Sequence, residues 1–288
     1  MRNLLPYSPS SEDILIEIIK VKQQPRKTVL NNALTQLKAD FDNYLCNTNN
    51  LERMKTYQKD YTNNGLKDLK EALLHCYESA TVPLDKLKAE IKQSQPEELS
   101  LCQYCGIGIP TTFDHYLPKS FFPEFSVLGI NLFPCCSDCN NIKNDDWLDD
   151  KGIREFINFY YDMIESIEQY LFCNIIIDNG IPIAEFYLKK PNSINIAFYK
   201  TIVNHYKKLD LLRKYALQSS GEIKKAIKIL KRKNQRNKRN EENDIQLDLE
   251  DISISEAEIY GVNFWKVSLY QAMGDNPQFI DLILKNAV

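Results

Sequence analysis

The sequence has little glycine or proline and no long apolar run. Nine glycines and twelve prolines in 288 residues exclude collagen-like and low-complexity chains. A membrane-spanning helix needs about 20 consecutive apolar residues, whereas the apolar stretch at 14–19 is interrupted by Glu17. The N-terminal segment also lacks the charged, apolar and small-residue parts of a signal peptide. We therefore expect a soluble, cytoplasmic protein that does not associate with a membrane.

Net charge is also small. The 36 lysines and arginines against 39 aspartates and glutamates give −3 at pH 7, so no overall electrostatic field draws the chain to nucleic acid. Hydrophobic residues make up 43% of the sequence, which is enough for a packed core and excludes wholesale disorder. A chain of this length is expected to form one or two domains.

Cysteine is distributed unevenly. Five of the eight cysteines lie between positions 102 and 139, in a chain unlike the small, secreted proteins that disulfides hold together. Two Cys-x-x-Cys pairs separated by 30 residues can supply four thiolates to one tetrahedral, structural Zn²⁺. The predicted zinc ligands are Cys102, Cys105, Cys136 and Cys139. Cys135 adjoins the second pair but has the wrong spacing, and a redox pair or buried cysteines are the alternatives.

The rest of the sequence has mainly helical periodicity, so we expect an α+β protein that is mainly helical. Apolar residues at steps of three and four predict helices at 28–46 and at about 66–79. Ser10 is expected to cap an earlier helix, and Pro83 suits the first turn of a later one. We predict three regions: an N-terminal helical region (1–100), a central metal module (101–147) and a C-terminal, mainly helical region (148–288).

The C-terminal region carries three further signals. Its periodicity predicts an amphipathic helix over 153–173. Asn179-Gly180 between two apolar runs predicts a β-hairpin near 174–188. A basic block followed directly by an acidic one predicts an exposed, mobile linker near 231–252.

Polar residues with the chemistry of an active site lie between and after the cysteine pairs. Asp114 and His115 open the string Asp-His-Tyr-Leu-Pro-Lys, Asn131 begins Asn-Leu-Phe-Pro, and Asn140 follows the last cysteine. Taken singly, each Asp or Asn has an alternative role in a turn or helix cap. A module that only binds nucleic acid would not need an acid directly beside a base between its cysteine pairs.

These strings resemble the ββα-metal core of the HNH endonucleases, in the version held together by four cysteines. The resemblance covers residues 102–143, about a seventh of the chain. It is specific because the candidate catalytic residues and the cysteines interleave in the order of that family. A looser resemblance of the longer string from residue 114 to residue 140 is to the HNH effectors of Septu-type anti-phage systems.

The resemblance implies a role for each of these residues. His115 is implied as the general base that deprotonates the attacking water, and Asp114 and Asn140 as the ligands of a catalytic divalent cation. Asn131 is implied to pin the backbone of the loop that presents His115. Asn140 stands where the family has its last histidine or asparagine, and its hard oxygen favours Mg²⁺ or Mn²⁺ over Zn²⁺ or Ni²⁺.

The implied function is metal-dependent hydrolysis of phosphodiester bonds in DNA, which leaves 5′-phosphate and 3′-hydroxyl ends. The implied setting is bacterial anti-phage defence, where such nucleases act with a partner ATPase. The chain has no Gly-x4-Gly-Lys-Ser/Thr loop of its own, so any use of ATP would fall to that partner. The alternatives are an RNase that uses the same site, for example against tRNA, and a non-catalytic, zinc-stapled module that binds nucleic acid.

Basic residues concentrate at 224–239, where nine lysines and arginines occur without an acidic residue. Such a run is typical of a surface that contacts phosphates, and the alternative is a solvated helix end that leads into a charged linker. Two lysines of the motif are also expected to face the phosphate. The predicted nucleic-acid contacts are Lys119, Lys143, Lys231, Arg232, Lys233, Arg236 and Arg239.

The basic run yields the first testable prediction. Replacing its five predicted contact residues together by glutamine should weaken binding of a DNA duplex and flatten the dependence of affinity on salt. Each phosphate contact contributes about 0.9 to the slope of log affinity against log salt concentration, which fluorescence anisotropy at a series of NaCl concentrations measures. A slope equal to that of the wild type would assign the run to a solvated helix end.

Overall fold

A computed structural model describes residues 1–7, 9–164, 168–237 and 242–284. The chain divides into two compact units, Asn3–Met163 and Ile164–Val288, the latter together with Met1–Arg2. The predicted N-terminal region and the predicted metal module therefore share one unit. The described chain is mainly helical with two small antiparallel sheets, which confirms the expected α+β class.

The first unit begins with helices that agree with the predicted periodic stretches. Their bounds are α1 Ser11–Lys20, α2 Arg26–Cys46, α3 Asn64–Glu78 and α4 Val82–Gln93. The hydroxyl oxygen of Ser10 accepts a hydrogen bond from the backbone N–H of Asp13 at 3.2 Å, so Ser10 caps α1 as expected. Pro83 lies in the first turn of α4, where its missing N–H removes no helical hydrogen bond.

Helix α2 packs on the segment between the two cysteine pairs. Its buried side chains Leu30, Leu37, Phe41 and Tyr44 recur at steps of seven, four and three residues and so share one face of the helix. The ring of Tyr44 meets the ring of Phe125 edge-on, with centroids 5.1 Å apart. Full burial of such a side chain is worth about 1.5–3 kcal/mol, so this face ties α2 firmly to the segment around Phe125.

The segment around the second cysteine pair forms a ββα unit. Strand β1 (Thr112–His115) pairs antiparallel with β2 (Leu132–Cys135), with Asp114 opposite Phe133. Helix α5 (Ser137–Lys143) follows β2, which is the order that the resemblance implies. Elements this short are not stable in isolation, so their arrangement depends on what they pack against.

The prediction of an amphipathic helix at 153–173 is wrong. The described residues between 153 and 170 form loops and turns, and residues 171–173 belong to a strand. A carboxylate oxygen of Asp162 accepts a hydrogen bond from the backbone N–H of Asn158 at 2.8 Å, and the side-chain oxygen of Asn158 accepts one from Tyr160 at 3.0 Å. Asp and Asn side chains compete in this way with helical hydrogen bonds.

The predicted β-hairpin of the second unit is confirmed. Strands β3 (Leu171–Asp178) and β4 (Ile181–Leu188) pair antiparallel across a two-residue turn. Asn179 and Gly180 have φ angles of 49° and 79°, the left-handed conformations that a type I′ turn requires at both positions.

Helices cover one face of this hairpin. In the described part of the second unit they are α6 Ile196–Lys208, α7 Leu211–Asn237, α8 Glu242–Tyr260, α9 Trp265–Gly274 and α10 Pro277–Leu284. Helix α9 packs on β3 and α7 packs on β4. None of the described helices combines the length and apolar character that crossing a bilayer requires.

The described residues near 231–252 are helical and do not form the predicted linker, although several of them are exposed as expected. Most of this range lies on α7 and α8. The ammonium group of Lys233 forms an ion pair with the carboxylate of Asp248. Lysine, arginine and glutamate favour helices, so the described residues of both charged blocks lie within helices.

The loop that replaces the predicted helix generates a stability prediction. Arg154 donates to both carboxylate oxygens of Asp162 at 2.9 and 2.8 Å, and both side chains are 11% exposed. Asp162→Ala should lower the free energy of unfolding by about 3 kcal/mol, because it leaves a buried guanidinium without its main partner. Urea unfolding measures the effect. Asp150→Ala, an exposed position, should change it by less than about 0.5 kcal/mol, and equal effects would contradict the assignment.

Candidate functional site

The four predicted metal ligands converge in the first unit. Their Sγ atoms all lie within 4.8 Å of one another, and all four residues are buried. The Sγ atoms of Cys105 and Cys136 are 3.8 Å apart, which is about the separation of two thiolates in a tetrahedron with metal–sulfur bonds of about 2.3 Å. The four-cysteine cluster, which comprises Cys102, Cys105, Cys136 and Cys139, can thus hold one metal ion, and its thiolate set is consistent with zinc.

The loop of the first cysteine pair is shaped for this cluster. The backbone N–H of Gly106 donates to the carbonyl of Cys102 at 2.7 Å, and the N–H of Gly108 donates to the Sγ atom of Cys105 at 3.4 Å. A Cβ atom on Gly108 would lie 2.7 Å from the Cβ atom of Cys136. Glycine at 108 is therefore required for the close approach of the second pair.

Cys135 stands apart from the four-cysteine cluster, as its spacing predicted. Its side chain is buried, and its Sγ atom lies 3.6 Å from the hydroxyl oxygen of Thr112. The cluster instead takes Cys136, the residue with the two-residue spacing to Cys139.

A cavity of about 790 Å³ brings the candidate catalytic residues together. Asp114 and His115 of β1, Asn140 of α5 and Lys119 all contribute to its lining. Its volume is within the range of sites that bind small molecules or parts of larger ones. Four of the residues singled out in the sequence thus meet at one cavity, which we call the β1–α5 cavity.

The imidazole of His115 is held in one orientation. Its Nε2 atom lies 2.9 Å from the carbonyl oxygen of Ser126. A carbonyl can only accept, so Nε2 carries the hydrogen and Nδ1 of the neutral ring has a free lone pair. Burial lowers the pKa of His115 to about 3, so the ring is neutral at pH 7 and is a weaker base than a solvated imidazole.

The carboxylate of Asp114 is almost completely buried, with 3% exposure. One oxygen accepts a hydrogen bond from the hydroxyl of Tyr104 at 2.9 Å, and the other lies 3.1 Å from the ammonium of Lys143. Burial raises the pKa of Asp114, while Lys143 and the hydrogen bond from Tyr104 oppose that rise. Both donors fix the carboxylate at the edge of the β1–α5 cavity.

Asn131 makes the backbone contacts that were expected of it. Its side-chain oxygen accepts a hydrogen bond from the N–H of Leu117 at 2.8 Å. Its side-chain nitrogen donates to the carbonyls of Leu117 at 3.0 Å and of Phe125 at 3.2 Å. The residue is completely buried, and its amide joins the segment that follows His115 to the segment that precedes β2.

Asn140 reaches the β1–α5 cavity from α5. It is partly exposed, and its side-chain nitrogen donates a long hydrogen bond of 3.5 Å to the carbonyl of Phe113. With the nitrogen turned to this backbone group, the side-chain oxygen is the atom that can bind a cation.

The structure contradicts the prediction that Lys143 faces the phosphate. The residue is fully buried, and its ammonium group donates to a carboxylate oxygen of Asp114 at 3.1 Å and to the carbonyl of His115 at 2.8 Å. Lys143 follows Cys139 by four residues, so both lie on the inward face of α5. It supports β1 from within the protein and does not touch the substrate side.

Lys119 stays a prediction as a phosphate contact. It lines the β1–α5 cavity and is partly exposed, but its ammonium group already forms an ion pair with Glu78 at 2.8 Å.

The basic run is placed in the second unit, and its contact with nucleic acid also stays a prediction. Lys231, Arg232, Lys233 and Arg236 lie on α7, whereas Arg239 falls outside the described residues.

Several lining residues were not found from the sequence, and three of them carry polar or charged groups on the N-terminal helices. Tyr77 of α3 and Lys88 and Lys92 of α4 also border the β1–α5 cavity. The ring of Tyr77 meets the imidazole of His115 edge-on, with centroids 4.3 Å apart. Nothing local marks Tyr77, because its contact depends on how α3 packs. The spacing of four residues between the two lysines was a signal that they share a helix face.

Comparison with known proteins shows a distant similarity. The chain is 28% identical over 192 residues to Protein ea31 of Escherichia phage lambda, and the match covers 62% of each chain. The chain thus spans less than two thirds of that protein's length. No protein-family model matches the chain, and no solved structure matches it.

The four-cysteine cluster generates a prediction on metal content. Purified wild-type protein should contain about one metal ion per chain, and Cys105→Ser should lose both the ion and much of the stability, because metal binding to four thiolates is coupled to folding. Cys135→Ala is the matched control, since it removes a buried thiol of the same segment outside the cluster. Elemental analysis and thermal unfolding check both variants, and folded wild type without metal would contradict the assignment.

Proposed function

We propose that the protein is a metal-dependent nuclease that hydrolyses phosphodiester bonds of DNA. One observation carries the proposal: a neutral histidine, a carboxylate and a side-chain amide line the same cavity on adjacent elements of a ββα unit. A base and two oxygen ligands at one cavity are the groups that metal-assisted hydrolysis of a phosphodiester requires.

His115 takes the proton of the attacking water. As the water oxygen bonds to phosphorus, its proton passes to Nδ1, which the hydrogen bond from Nε2 to Ser126 leaves as the acceptor. The bond from phosphorus to the 3′-oxygen then breaks, and solvent protonates that oxygen. The products are a 5′-phosphate and a 3′-hydroxyl. The imidazolium that forms is stabilised by the phosphate anion beside it.

Asp114 and Asn140 are the proposed ligands of the catalytic cation, Mg²⁺ or Mn²⁺. Both residues line the β1–α5 cavity and carry hard side-chain oxygens, and Mg²⁺ commonly takes one or two protein oxygens and keeps several waters. Such an ion supplies positive charge to the phosphate and to the leaving oxygen when it is bound. Lys143 balances the charge of Asp114 from the inside, so we expect the carboxylate to hold the ion less tightly than an unpaired one.

The four-cysteine cluster is proposed to hold a structural Zn²⁺. Four thiolates complete a tetrahedron and leave no position for water or substrate. This ion therefore holds the elements that carry the reacting groups and takes no part in the reaction.

The same residues would hydrolyse RNA by the same chemistry. The first alternative function is therefore an RNase, for example one that acts on tRNA. A module that binds nucleic acid without cutting it is the second. The oriented base beside Asp114 favours catalysis over binding alone, because a binding module needs neither group. The setting that we propose is anti-phage defence with a partner ATPase, and it rests on the resemblance alone.

The proposal predicts that His115→Ala loses at least about 100-fold in cleavage rate, because general-base catalysis is typically worth 10²–10⁴-fold. The wild type and the variant are compared on plasmid DNA and on total tRNA, with Mg²⁺, with Mn²⁺ and without added divalent cation. His75→Ala is the matched control, since His75 lies on α3 outside the cavity lining, and it should cut like the wild type.

Circular dichroism and metal content should be unchanged in His115→Ala, because His115 contributes no thiolate to the four-cysteine cluster. Equal cleavage by His115→Ala and wild type would sink the nuclease assignment. If the wild type binds nucleic acid without cutting it, the protein is the non-catalytic binding module. Cleavage confined to tRNA would change the substrate from DNA to RNA.

A further inference from the structure

Helix α4 presents two lysines to the β1–α5 cavity from outside the motif at 102–143. Lys88 and Lys92 both contribute to the cavity lining and are separated by four residues, so they lie one above the other on one face of the helix. Neither belongs to the ββα unit or to the four-cysteine cluster. A wall of the cavity is therefore made by the N-terminal helices.

The ammonium groups of both lysines lie against rings that touch the candidate catalytic strand. The ammonium of Lys92 is 5.2 Å from the ring centroid of Phe113, the residue directly before Asp114. The ammonium of Lys88 is 4.1 Å from the ring centroid of Tyr77, and that ring packs edge-on against His115. The charge of Lys88 thus stands one aromatic ring away from His115, and the charge of Lys92 lies over the residue that precedes Asp114.

Unlike the other lysines nearby, Lys88 and Lys92 form no close ion pair in the described part of the chain, although Asp85 acts on Lys88 at longer range. Lys119 pairs with Glu78 at 2.8 Å, and Lys86, also on α4, pairs with Glu90 at 3.8 Å. Among the residues that the structure describes, no carboxylate lies within ion-pair distance of Lys88 or Lys92. Two like charges at this spacing destabilise a helix by a few tenths of a kcal/mol, a cost that a bound anion would remove.

We infer that Lys88 and Lys92 bind backbone phosphates of the nucleic acid next to the phosphate that is cut. This inference deepens the proposed function and rests on it. The N-terminal helices would thereby supply part of the substrate-binding surface, while the ββα unit supplies the reacting groups. Lysine binds phosphate as a point charge, and contacts to phosphates position a substrate without reading its sequence.

The rings of this wall favour backbone over bases as the occupant. Base-stacking sites present open aromatic faces, whereas the faces of Tyr77 and Phe113 are each approached by an ammonium group. Burial lowers the pKa of Lys88, the charge of Asp85 opposes this shift, and the charge of Lys92 adds to it. A phosphate held between the two lysines would offset both of the lowering effects.

The test measures binding without cleavage. The full chain is titrated onto a short labelled DNA duplex, its single strand and a tRNA, in buffer without added divalent cation and at a series of NaCl concentrations. Lys88→Gln with Lys92→Gln should weaken binding of the substrate and lower the slope of log affinity against log salt by about 0.9 per lysine on duplex DNA, or about 0.7 on a single strand.

Two control variants distinguish the loss of positive charge at the cavity from a general effect on the helix. Lys88→Arg with Lys92→Arg keeps the charges and should keep the wild-type slope. Lys86→Gln removes a charge from the same helix outside the cavity lining and should leave the slope unchanged.

Three results would overturn the inference. They are an unchanged salt slope in the glutamine variant, an equal fall of that slope in Lys86→Gln, and no salt-dependent binding by the wild type. Its failure is distinguishable from that of the nuclease proposal, because binding is measured here and cleavage is measured with His115→Ala. A further outcome is that the wild type fails to cut while the glutamine variant still shows the lower salt slope. That result would support the phosphate contacts and contradict only the catalytic assignment.

Discussion

Four sulfur atoms within 4.8 Å of one another tie the turn at 102–105 to the start of α5, and the ββα unit depends on this constraint. Thiolates at that separation repel unless a cation lies among them, and the elements around them are two strands of four residues and a helix of seven. Elements of this size do not persist alone. The shared sulfur cluster is therefore what allows so short a ββα unit to hold side chains in fixed places.

Buried polar side chains then position the residues of β1 and of the loop that follows it. One ammonium group, that of Lys143, contacts both the carboxylate of Asp114 and the carbonyl of His115, so a single side chain of α5 positions two consecutive residues of β1. Asn131 does the same for the loop that follows. Groups held on regular elements by such contacts are positioned more precisely than groups on free loops.

The features of the fold and the candidate site that could be predicted from the sequence are those that depend on local interactions. Ser10, the Asn179-Gly180 turn and the cysteine spacing each report a local constraint, and the structure agrees with them. The helix expected at 153–173 failed because Asp162 and Asn158 bond to nearby backbone, which apolar periodicity does not register. Lys88 was missed because only tertiary packing brings α4 to the cavity.

Tyr104 connects the two centres of the first unit. It stands between Cys102 and Cys105 in the sequence, and its hydroxyl donates to the carboxylate of Asp114 at 2.9 Å. The turn that wraps the sulfur atoms is thus the same tetrapeptide that orients the acid. A reagent that oxidises these sulfurs, or removes a metal ion from them, would move the ring of Tyr104. It would thereby displace the carboxylate of Asp114 while the helices are still folded. The protein would then lose its site through oxidation of these sulfurs under conditions too mild to unfold it by heat.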